Sequence, residues 1–227
     1  MRIKNDESIN EIYRIMGAEY QLPLASNLGK NTEIIIMRAT VVFAKNGYVG
    51  ASLRDIAQAI GIKSASLYNH FSCKEDLWKA VLERADELYR LYIDHLDLAL
   101  QEAKDMDDFL DILFSAPISM ENDFTCFAFS LILSEQLYDD DAWRIFSNSF
   151  ARYAVDALRR NLQACIDNGF ADSFDVEATA RIIGHLCLLA VQIQTQKLMN
   201  RPLPYDHIKM VIGLKEFLRD VLQRKAR

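Results

Sequence analysis

The chain has 227 residues, of which 51% are hydrophobic and 26% are charged, so it can bury a core and is not a disordered chain. The formal net charge of −6 excludes a uniformly basic coat for nucleic acid, although it leaves room for a local basic patch. The chain has only 8 glycines and 4 prolines, and this scarcity of helix-breaking residues favours a mostly helical fold.

An N-terminal extension, residues 1–30, precedes the first strongly patterned helix. One apolar stripe predicts a short helix over 8–16, formed by Ile9, Ile12, Tyr13 and Met16. The first 29 residues hold three basic and four acidic side chains, which gives a net charge of −1. With so little positive charge, the extension is expected to support packing or a dimer rather than to follow DNA.

The next predicted helix starts at Asn31 or Thr32, which can cap its N-terminus, and it has Glu33 in its favourable first turn. Apolar side chains recur along it at helical spacing, namely Ile35, Ala39, Val42 and Phe43. It is expected to end at Asn46-Gly47, because Gly accepts the left-handed conformation that closes many helices.

Two short helices follow. Ser52 is placed to cap the first of them, and Gly61 is placed to end it. The second starts near Ser64, and another helix starts near Lys74. Two short helices joined by a tight turn with Gly, packed against a preceding helix, describe a helix-turn-helix.

This part of the chain is basic although the whole chain is acidic. Residues 30–74 hold six Lys and Arg against two acidic residues, a net charge of +4. Residues 75–227 hold 17 Lys and Arg against 26 Asp and Glu, a net charge of −9. A small basic unit attached to a larger acidic one suits a protein with a DNA-binding part and a second, different part.

The helix after Gly61 has an exposed face suited to DNA. Leu67 and Phe71 lie on the buried side of a helical wheel, so the opposite face can be assigned. Its centre and flanks are formed by Ala65, Ser66 and Asn69, and by Ser64, Tyr68 and His70. Small and amide side chains suit contact with base edges in a major groove, and phenol, imidazole and ammonium groups suit phosphates. An ordinary surface helix is the alternative, and the local charge and the preceding turn disfavour it.

Residues 32–78 resemble the DNA-binding domain of the tetracycline-repressor (TetR) family of bacterial regulators. The resemblance lies in "ATVVFAKNGYVGASLRDIAQAIGIKSASLYNHFSCKEDLW", which fixes residue types across three helices and their turns. The resemblance covers about a fifth of the chain. It implies an all-α protein of nine or ten helices that acts as a dimeric, ligand-controlled transcriptional regulator.

The resemblance also implies which residues meet DNA. Arg54, Lys63, Ser64, Ala65 and Ser66 would meet the groove, while Tyr68, His70 and Lys74 would hold the backbone. Ser52 would cap its helix and touch phosphate, and the helical wheel adds Asn69. The implied domains are the extension 1–30, a helix-turn-helix domain over 31–77 and an effector-binding and dimerisation domain over 78–227.

Helical patterning continues to the end of the chain. The segments are expected at 105–117, 121–137, 141–167, 175–199 and 205–224. The last two are apolar over more than one stripe, and Gly184 would allow a close helix approach. The family dimerises through its last two helices, so the predicted dimer interface comprises Ile183, Leu186, Val191, Ile208, Val211, Leu214, Leu218 and Val221; an ordinary monomer core is the alternative.

The effector is expected to be a small apolar or aromatic molecule, because residues 109–153 are rich in aromatic side chains. The predicted ligand-binding residues are Phe109, Phe114, Phe127, Tyr138, Phe146, Phe150, Tyr153 and His185. Aromatic residues at helical spacing also build ordinary cores, so this assignment rests on composition.

Metal, cofactor and enzyme chemistry find little support in the sequence. The four cysteines form no CxxC pair, the histidines have no partner at ligand spacing, and no nucleotide-binding or nucleophile motif is present. We therefore predict no cofactor, no metal and no enzyme activity. Lacking a signal-peptide pattern and a long apolar run, the chain is expected to be a soluble cytoplasmic protein.

The function predicted from sequence is a ligand-responsive transcriptional regulator, most simply a repressor that a small effector releases from a palindromic operator. The rival is a helical ligand-binding or scaffold protein of the same fold without operator binding. A scaffold would be expected to carry acids in place of the flanking groups, whereas Tyr68, His70 and Lys74 are all present.

Overall fold

The computed structural model describes residues 30–118, 123–199, 201–203 and 206–223, and within these ranges it contains helices and no strand. The predicted all-α fold is confirmed. The short helix predicted over 8–16 lies outside the described residues.

The described helices follow the predicted segments closely. The first four are α1 Lys30–Gly50, α2 Leu53–Ile60, α3 Ser64–Leu67 and α4 Lys74–Gln101. The others are α5 Met106–Ile118, α6 Asp123–Glu135, α7 Asp140–Ile145, α8 Ala154–Asp167, α9 Val176–Leu198 and α10 His207–Leu222.

One predicted helix is divided. The sequence predicts a continuous helix over 141–167, whereas the structure has a π-helical segment, Phe146–Tyr153, between α7 and α8. A π-helix closes each hydrogen bond one residue later than an α-helix, is rare, and occurs frequently at functional sites.

The described residues form two compact units. The first unit holds residues 30–88 and 123–146, and the second holds 89–118 and 147–223. These boundaries follow packing and are not those of the predicted functional domains, which stay a prediction.

In the first unit, α1 packs on α2 and α6, α2 packs on α3, and α6 packs on α7. The apolar stripe of α1 enters the core as predicted, because Ile35, Ala39 and Phe43 are fully buried. Val42, which was expected to join them, is half-buried. The backbone leaves helical geometry at Gly47, whose φ of 71° lies in the left-handed region, close to the predicted end of the helix.

In the second unit, α9 packs on α8 and α5, and α10 packs on α5. The core is built from α5 residues such as Phe109 and Leu110, together with Leu162 of α8, Ile183 of α9 and Leu218 of α10. Burial of these apolar side chains provides most of the driving force that holds the helices together.

Gly184 lets α9 approach α8 closely, as predicted. A Cβ added there would lie 3.4 Å from Val155 Cγ2 and 3.7 Å from Leu158 Cδ1, which is ordinary van der Waals contact, so only a side chain longer than alanine would push the two helices apart. The same α9 is the one described helix long and apolar enough to cross a membrane by length and composition, over Val176–Lys197. Only 22% of its most apolar stretch is buried in the isolated chain.

Candidate nucleic-acid interface and ligand cavity

The start of α2 is fixed by a reciprocal cap. Ser52 Oγ accepts a hydrogen bond from the Asp55 backbone N–H at 3.2 Å, and the Ser52 backbone N–H donates to Asp55 Oδ2 at 2.9 Å. The Ser52 hydroxyl also donates to Asp55 Oδ2, and these bonds lower the pKa of the Asp55 carboxyl. The predicted cap at Ser52 is confirmed, and it sets the point at which α2 leaves the preceding loop.

The turn between α2 and α3 depends on Gly61. Its φ is 77°, and its N–H bonds the carbonyls of Ala57 and Gln58, which closes the C-terminus of α2. A Cβ at this position would meet nothing within 4 Å, so the requirement for glycine is conformational rather than steric. The turn leads directly into α3 at Ser64.

The buried and exposed sides of α3 agree with the helical wheel. Leu67 is fully buried, and Phe71 is 8% exposed. The exposed members of the predicted DNA-binding set are Ser52, Arg54, Lys63, Ala65, Tyr68, Asn69 and His70. The remaining members, Ser64, Ser66 and Lys74, are half-buried. All ten belong to the first unit, so one compact body carries them.

Thr32 and Tyr48 support this surface. The sequence assigned Tyr48 no role, and it predicted Thr32 as a possible helix cap, whereas Thr32 lies inside α1, which includes Lys30. Thr32 Oγ1 lies 3.0 Å from His70 Nδ1, which links α1 to the residues after α3. Tyr48 lies beneath Lys74, whose Nζ is 4.2 Å from the ring centroid, and its hydroxyl donates to Glu75 Oε1 at 2.9 Å. Partial burial and the bond to Glu75 raise the pKa of Tyr48 to about 12, so the phenol stays neutral at ordinary pH.

Tyr48 is itself held by aromatic packing. The ring of Trp78 lies 4.9 Å from that of Tyr48 and 5.1 Å from that of Phe43, and Trp78 Nε1 donates to Asp139 Oδ2 at 2.9 Å. The "GY" pair in the quoted motif was the available sequence signal for Tyr48. Trp78 on α4, and Asp139, which holds Trp78, lie far from Tyr48 in sequence, so these contacts could not be predicted from residue spacing.

A buried ion pair joins α1 to α4 within the first unit. Arg84 Nε donates to Glu33 Oε1 at 2.8 Å, and the two side chains are only 4% and 6% exposed. Arg84 also reaches Glu87 at 2.9 Å. Glu33 was predicted as a helix-start acid, and the structure gives it the further role of partner to this arginine.

The second unit contains a small apolar cavity that is partly open to solvent. Residues of α4 form one wall, namely Tyr89, Tyr92, Ile93, Leu96, Asp97 and Leu100. Small residues face them, with Ala154 and Ala157 on α8 and Gly184 on α9. Leu113, Leu158, Cys187, Leu188 and Val191 complete the lining. An apolar cavity with few polar groups is the usual form of a small-molecule site.

None of the eight predicted ligand-binding residues lines this cavity. Phe109 and Phe114 are buried in the core of the second unit. Phe127, Tyr138 and Phe146 belong to the first unit, and Tyr138 is 85% exposed.

The other three predicted ligand residues belong to the second unit. Phe150 stacks on Tyr89, a wall residue, with ring centroids 3.6 Å apart. The Tyr153 hydroxyl donates to Asp94. His185 is exposed, and its Nδ1 lies 2.7 Å from the Arg181 carbonyl.

The predicted dimer residues also need correction. Ile183, Val191, Val211 and Leu218 are at most 7% exposed inside the second unit, so their apolar surface is used within the chain and not offered to a partner. Leu186 and Leu214 are half-buried, Val221 is 41% exposed, and the side chain of Ile208 lies outside what the structure describes. The apolar side chains that α9 and α10 expose are Ile182, Leu189, Ile212, Phe217 and Val221.

The cysteines are all free, and Cys165 and Cys187 have raised pKa values, about 11 and about 12, because they are buried. Within the described part of the chain, no cluster of three or more His, Cys, Asp or Glu could hold a metal ion. The thiols of Cys165 and Cys187, with their raised pKa values, are therefore protonated at neutral pH and poorly nucleophilic.

Comparison with known proteins identifies the helix-turn-helix. A family model described as "Bacterial regulatory proteins, tetR family" matches residues 35–81, which run from α1 into α4. The capped α2, the left-handed turn at Gly61 and the exposed face of α3 lie within this match, so this part of the chain resembles the DNA-binding domain of that family.

The curated relatives match less than a third of this chain. The HTH-type transcriptional repressor KstR2 of Rhodococcus jostii (strain RHA1) is 41% identical over 68 residues, which is 30% of this chain and 29% of KstR2. The chain therefore matches less than a third of the length of KstR2.

Solved structures extend the likeness to most of the fold. The fatty acid degradation regulator FadR from Bacillus halodurans has a TM-score of 0.63 at 21% identity, over 88% of this chain and all of that one. FadR from Bacillus subtilis, solved in complex with stearoyl-CoA, has a TM-score of 0.59 at 21% identity, over 84% of this chain and 98% of that one. At this identity the likeness establishes the fold alone.

Proposed function

We propose that this chain is a ligand-responsive transcriptional regulator, most simply a repressor that leaves a palindromic operator when a small apolar or aromatic effector binds. The observation that carries the proposal is the helix-turn-helix, in which a capped α2 and the turn at Gly61 support α3 and the turn after it, where Ala65 and Asn69 are exposed. The match over 35–81 supports the same conclusion.

Asn69 and Ala65 are exposed, and Ser66 is half-exposed, opposite the buried Leu67. An amide can bond the edge of adenine, a hydroxyl can bond several bases, and an alanine methyl can contact the methyl of thymine. Tyr68, His70 and Lys74 flank them and would bond phosphates, which sets register and contributes most of the salt-dependent affinity.

The chain is proposed to act as a homodimer. A single α3 recognises too few base pairs for high specificity, and a symmetric pair of them would enter successive major grooves about 34–36 Å apart. The exposed apolar residues of α9 and α10, including Ile182 and Phe217, favour a second copy as their cover.

The cavity in the second unit is proposed as the effector site. Six of its wall residues belong to α4, the helix whose first residue is Lys74. An effector that prefers a shifted α4 would change the spacing of the two α3 helices and weaken operator binding, typically by about 1–3 kcal/mol. FadR from Bacillus subtilis was solved with stearoyl-CoA, so a protein of this fold holds a ligand with a long apolar chain.

The alternatives receive less support. The match of residues 35–81 to a family of bacterial regulatory proteins supports a DNA-binding transcription factor over an enzyme. A scaffold of the same fold would have no use for the exposed polar face of α3. A regulator that binds the bacterial chromosome acts in the cytoplasm, and this is the proposed location.

The test is binding of the purified protein to the DNA upstream of its own gene, against a scrambled duplex, over a series of salt concentrations. We expect a preference of about 10³-fold or more that weakens steeply as salt rises. Equal binding to both duplexes, together with no enrichment of any sequence from a random library, would contradict the proposal and favour the scaffold.

A further inference from the structure

The cavity wall carries one formal charge. Of the described residues that line it, Asp97 is the acid, and none is a lysine or an arginine. The other ionisable groups there include Tyr89 and Cys187, and burial raises the pKa of both, that of Cys187 to about 12. These two therefore face the cavity uncharged at neutral pH.

The charge on Asp97 is already paired on the side away from the cavity. Arg160 donates to Asp97 Oδ2 at 3.0 Å, and Asn161 Nδ2 donates to Oδ1. Arg160 is not a lining residue, and its side chain is 56% exposed whereas that of Asp97 is 18% exposed. The nearby guanidinium is thus engaged by a protein carboxylate and is not offered to a ligand.

This arrangement disfavours an anionic group inside the cavity. A carboxylate that entered would lose its water, would face the carboxylate of Asp97, and would find no lining cation to replace the lost solvation. An alcohol, ester or aromatic ring loses much less on entering the same apolar walls.

We infer that the cavity selects an uncharged apolar chain over the free acid of the same chain, and that Asp97 is the residue that sets this preference. The inference rests on the proposed effector cavity and adds the chemical class of its ligand. It concerns the part of a ligand that enters the cavity, so a charged group could remain outside its mouth.

The first experiment compares dodecanol with dodecanoate as competitors of the neutral fluorescent probe N-phenyl-1-naphthylamine, at pH 8, on the full chain without DNA. The two competitors share a chain and differ in charge. We expect dodecanol to displace the probe at a concentration about tenfold lower or more, which corresponds to about 1.4 kcal/mol.

The second experiment repeats the comparison with Asp97→Asn. This variant removes the negative charge and releases Arg160, so dodecanoate should gain about tenfold while dodecanol changes by less than about threefold. Asp94→Asn is the matched control. Asp94 is an exposed acid close to Asp97 on α4, it accepts a hydrogen bond from the Tyr153 hydroxyl, and it does not line the cavity. It should leave both competitors unchanged.

Three results would overturn the inference: equal displacement by both wild-type competitors, a gap that Asp97→Asn leaves intact, or no displacement by either. If Asp97→Asn does not fold, the wild-type comparison still tests the preference for the uncharged chain. Operator binding is measured separately, so a failed ligand preference with intact DNA binding removes only this inference. A ligand preference without any DNA binding removes the regulator and leaves the cavity assignment standing.

Discussion

Asn69 and Lys74 differ in the kind of DNA contact that their positions allow. Asn69 is exposed in the turn just after α3, where an amide can meet a base edge, whereas Lys74 is half-buried over the Tyr48 ring at the start of α4. A residue that bonds bases should affect some sequences more than others. A residue that bonds phosphates should affect all sequences alike.

We therefore predict that Asn69→Ala and Ser66→Ala change the preference at particular base pairs, by about 1–3 kcal/mol at each. Tyr68→Phe and Lys74→Ala should weaken binding to all duplexes by similar factors, and Lys74→Ala should lower the salt slope by about one. Binding of each variant to a set of singly substituted operators measures both effects. A uniform loss in all four variants would contradict this division.

Ser52 provides a residue-scale test of stability. Because its hydroxyl accepts the Asp55 N–H, Ser52→Ala should lower the free energy of unfolding by about 1 kcal/mol. Thermal melting at fixed protein concentration measures the loss, with Ser173→Ala as a control, since Ser173 is exposed in the connection before α9. Equal melting of the two variants would mean that the cap contributes nothing.

At the scale of elements, the turn between α2 and α3 depends on a glycine at position 61, so its replacement should lower the stability of the chain. Gly61→Ala forces a Cβ into the left-handed region and should cost about 1–2 kcal/mol. Gly213→Ala is the opposite case, because that glycine lies within α10 with open space around its Cβ, and it should stabilise the chain by about 1 kcal/mol. Melting curves that move in the same direction would refute the conformational argument.

The α1–α4 ion pair gives a second element-scale prediction. Arg84→Met leaves Glu33 buried without its cation and should destabilise the chain by about 3–5 kcal/mol. The double variant Glu33→Leu/Arg84→Met removes both charges and should recover most of that loss. Arg159→Met is the control, because its pair with Asp156 is exposed and should contribute less than about 1 kcal/mol.

Denaturation of these three variants and of the wild-type chain, all at one protein concentration, measures the changes in the free energy of unfolding. If the double variant were as unstable as Arg84→Met, the buried charge would not be the cause, and packing of the arginine stem would replace it as the explanation.

Elements fixed by neighbouring residues could be predicted from the sequence. Ser52 bonds a residue three positions away, and Gly61 closes its helix through carbonyls three and four positions back, so both signals were local. The π-helical segment after α7 could not be predicted, because tertiary packing decides whether a helix widens. The Tyr48 partners, Glu75 and Glu135, likewise depend on contacts between distant elements.

At the scale of the whole molecule, the sequence did not identify the surfaces used for ligand and partner. The cavity is walled mostly by small and aliphatic residues, together with Tyr89 and Tyr92, and Ala157 and Gly184 leave the space, whereas the aromatic density of residues 109–153 pointed elsewhere. On α9 an apolar surface on nearly every side hid which residues face inward: Ile183 is buried, and Ile182 is 58% exposed. Only the packing of α9 on α8 and α5 separates the two.

The exposed apolar residues give a prediction about assembly. Phe217→Glu or Ile182→Glu puts a charge where a second copy is proposed to pack, and each should raise the dimer dissociation constant by about 100-fold or more. Leu137→Glu is the control, because Leu137 is 74% exposed in the first unit. Size-exclusion chromatography with light scattering measures the mass; a dimer that survives both changes would place the interface elsewhere.

The most direct test of DNA recognition by a symmetric dimer is selection of DNA from a random duplex library by the purified protein. We predict an enriched site with two inverted half-sites about 10–10.5 base pairs apart, or a multiple of that spacing. The half-site should change when Asn69→Ala is used. Enrichment of a single unrepeated motif would contradict binding by a symmetric dimer. No enrichment at all would contradict DNA recognition by α3.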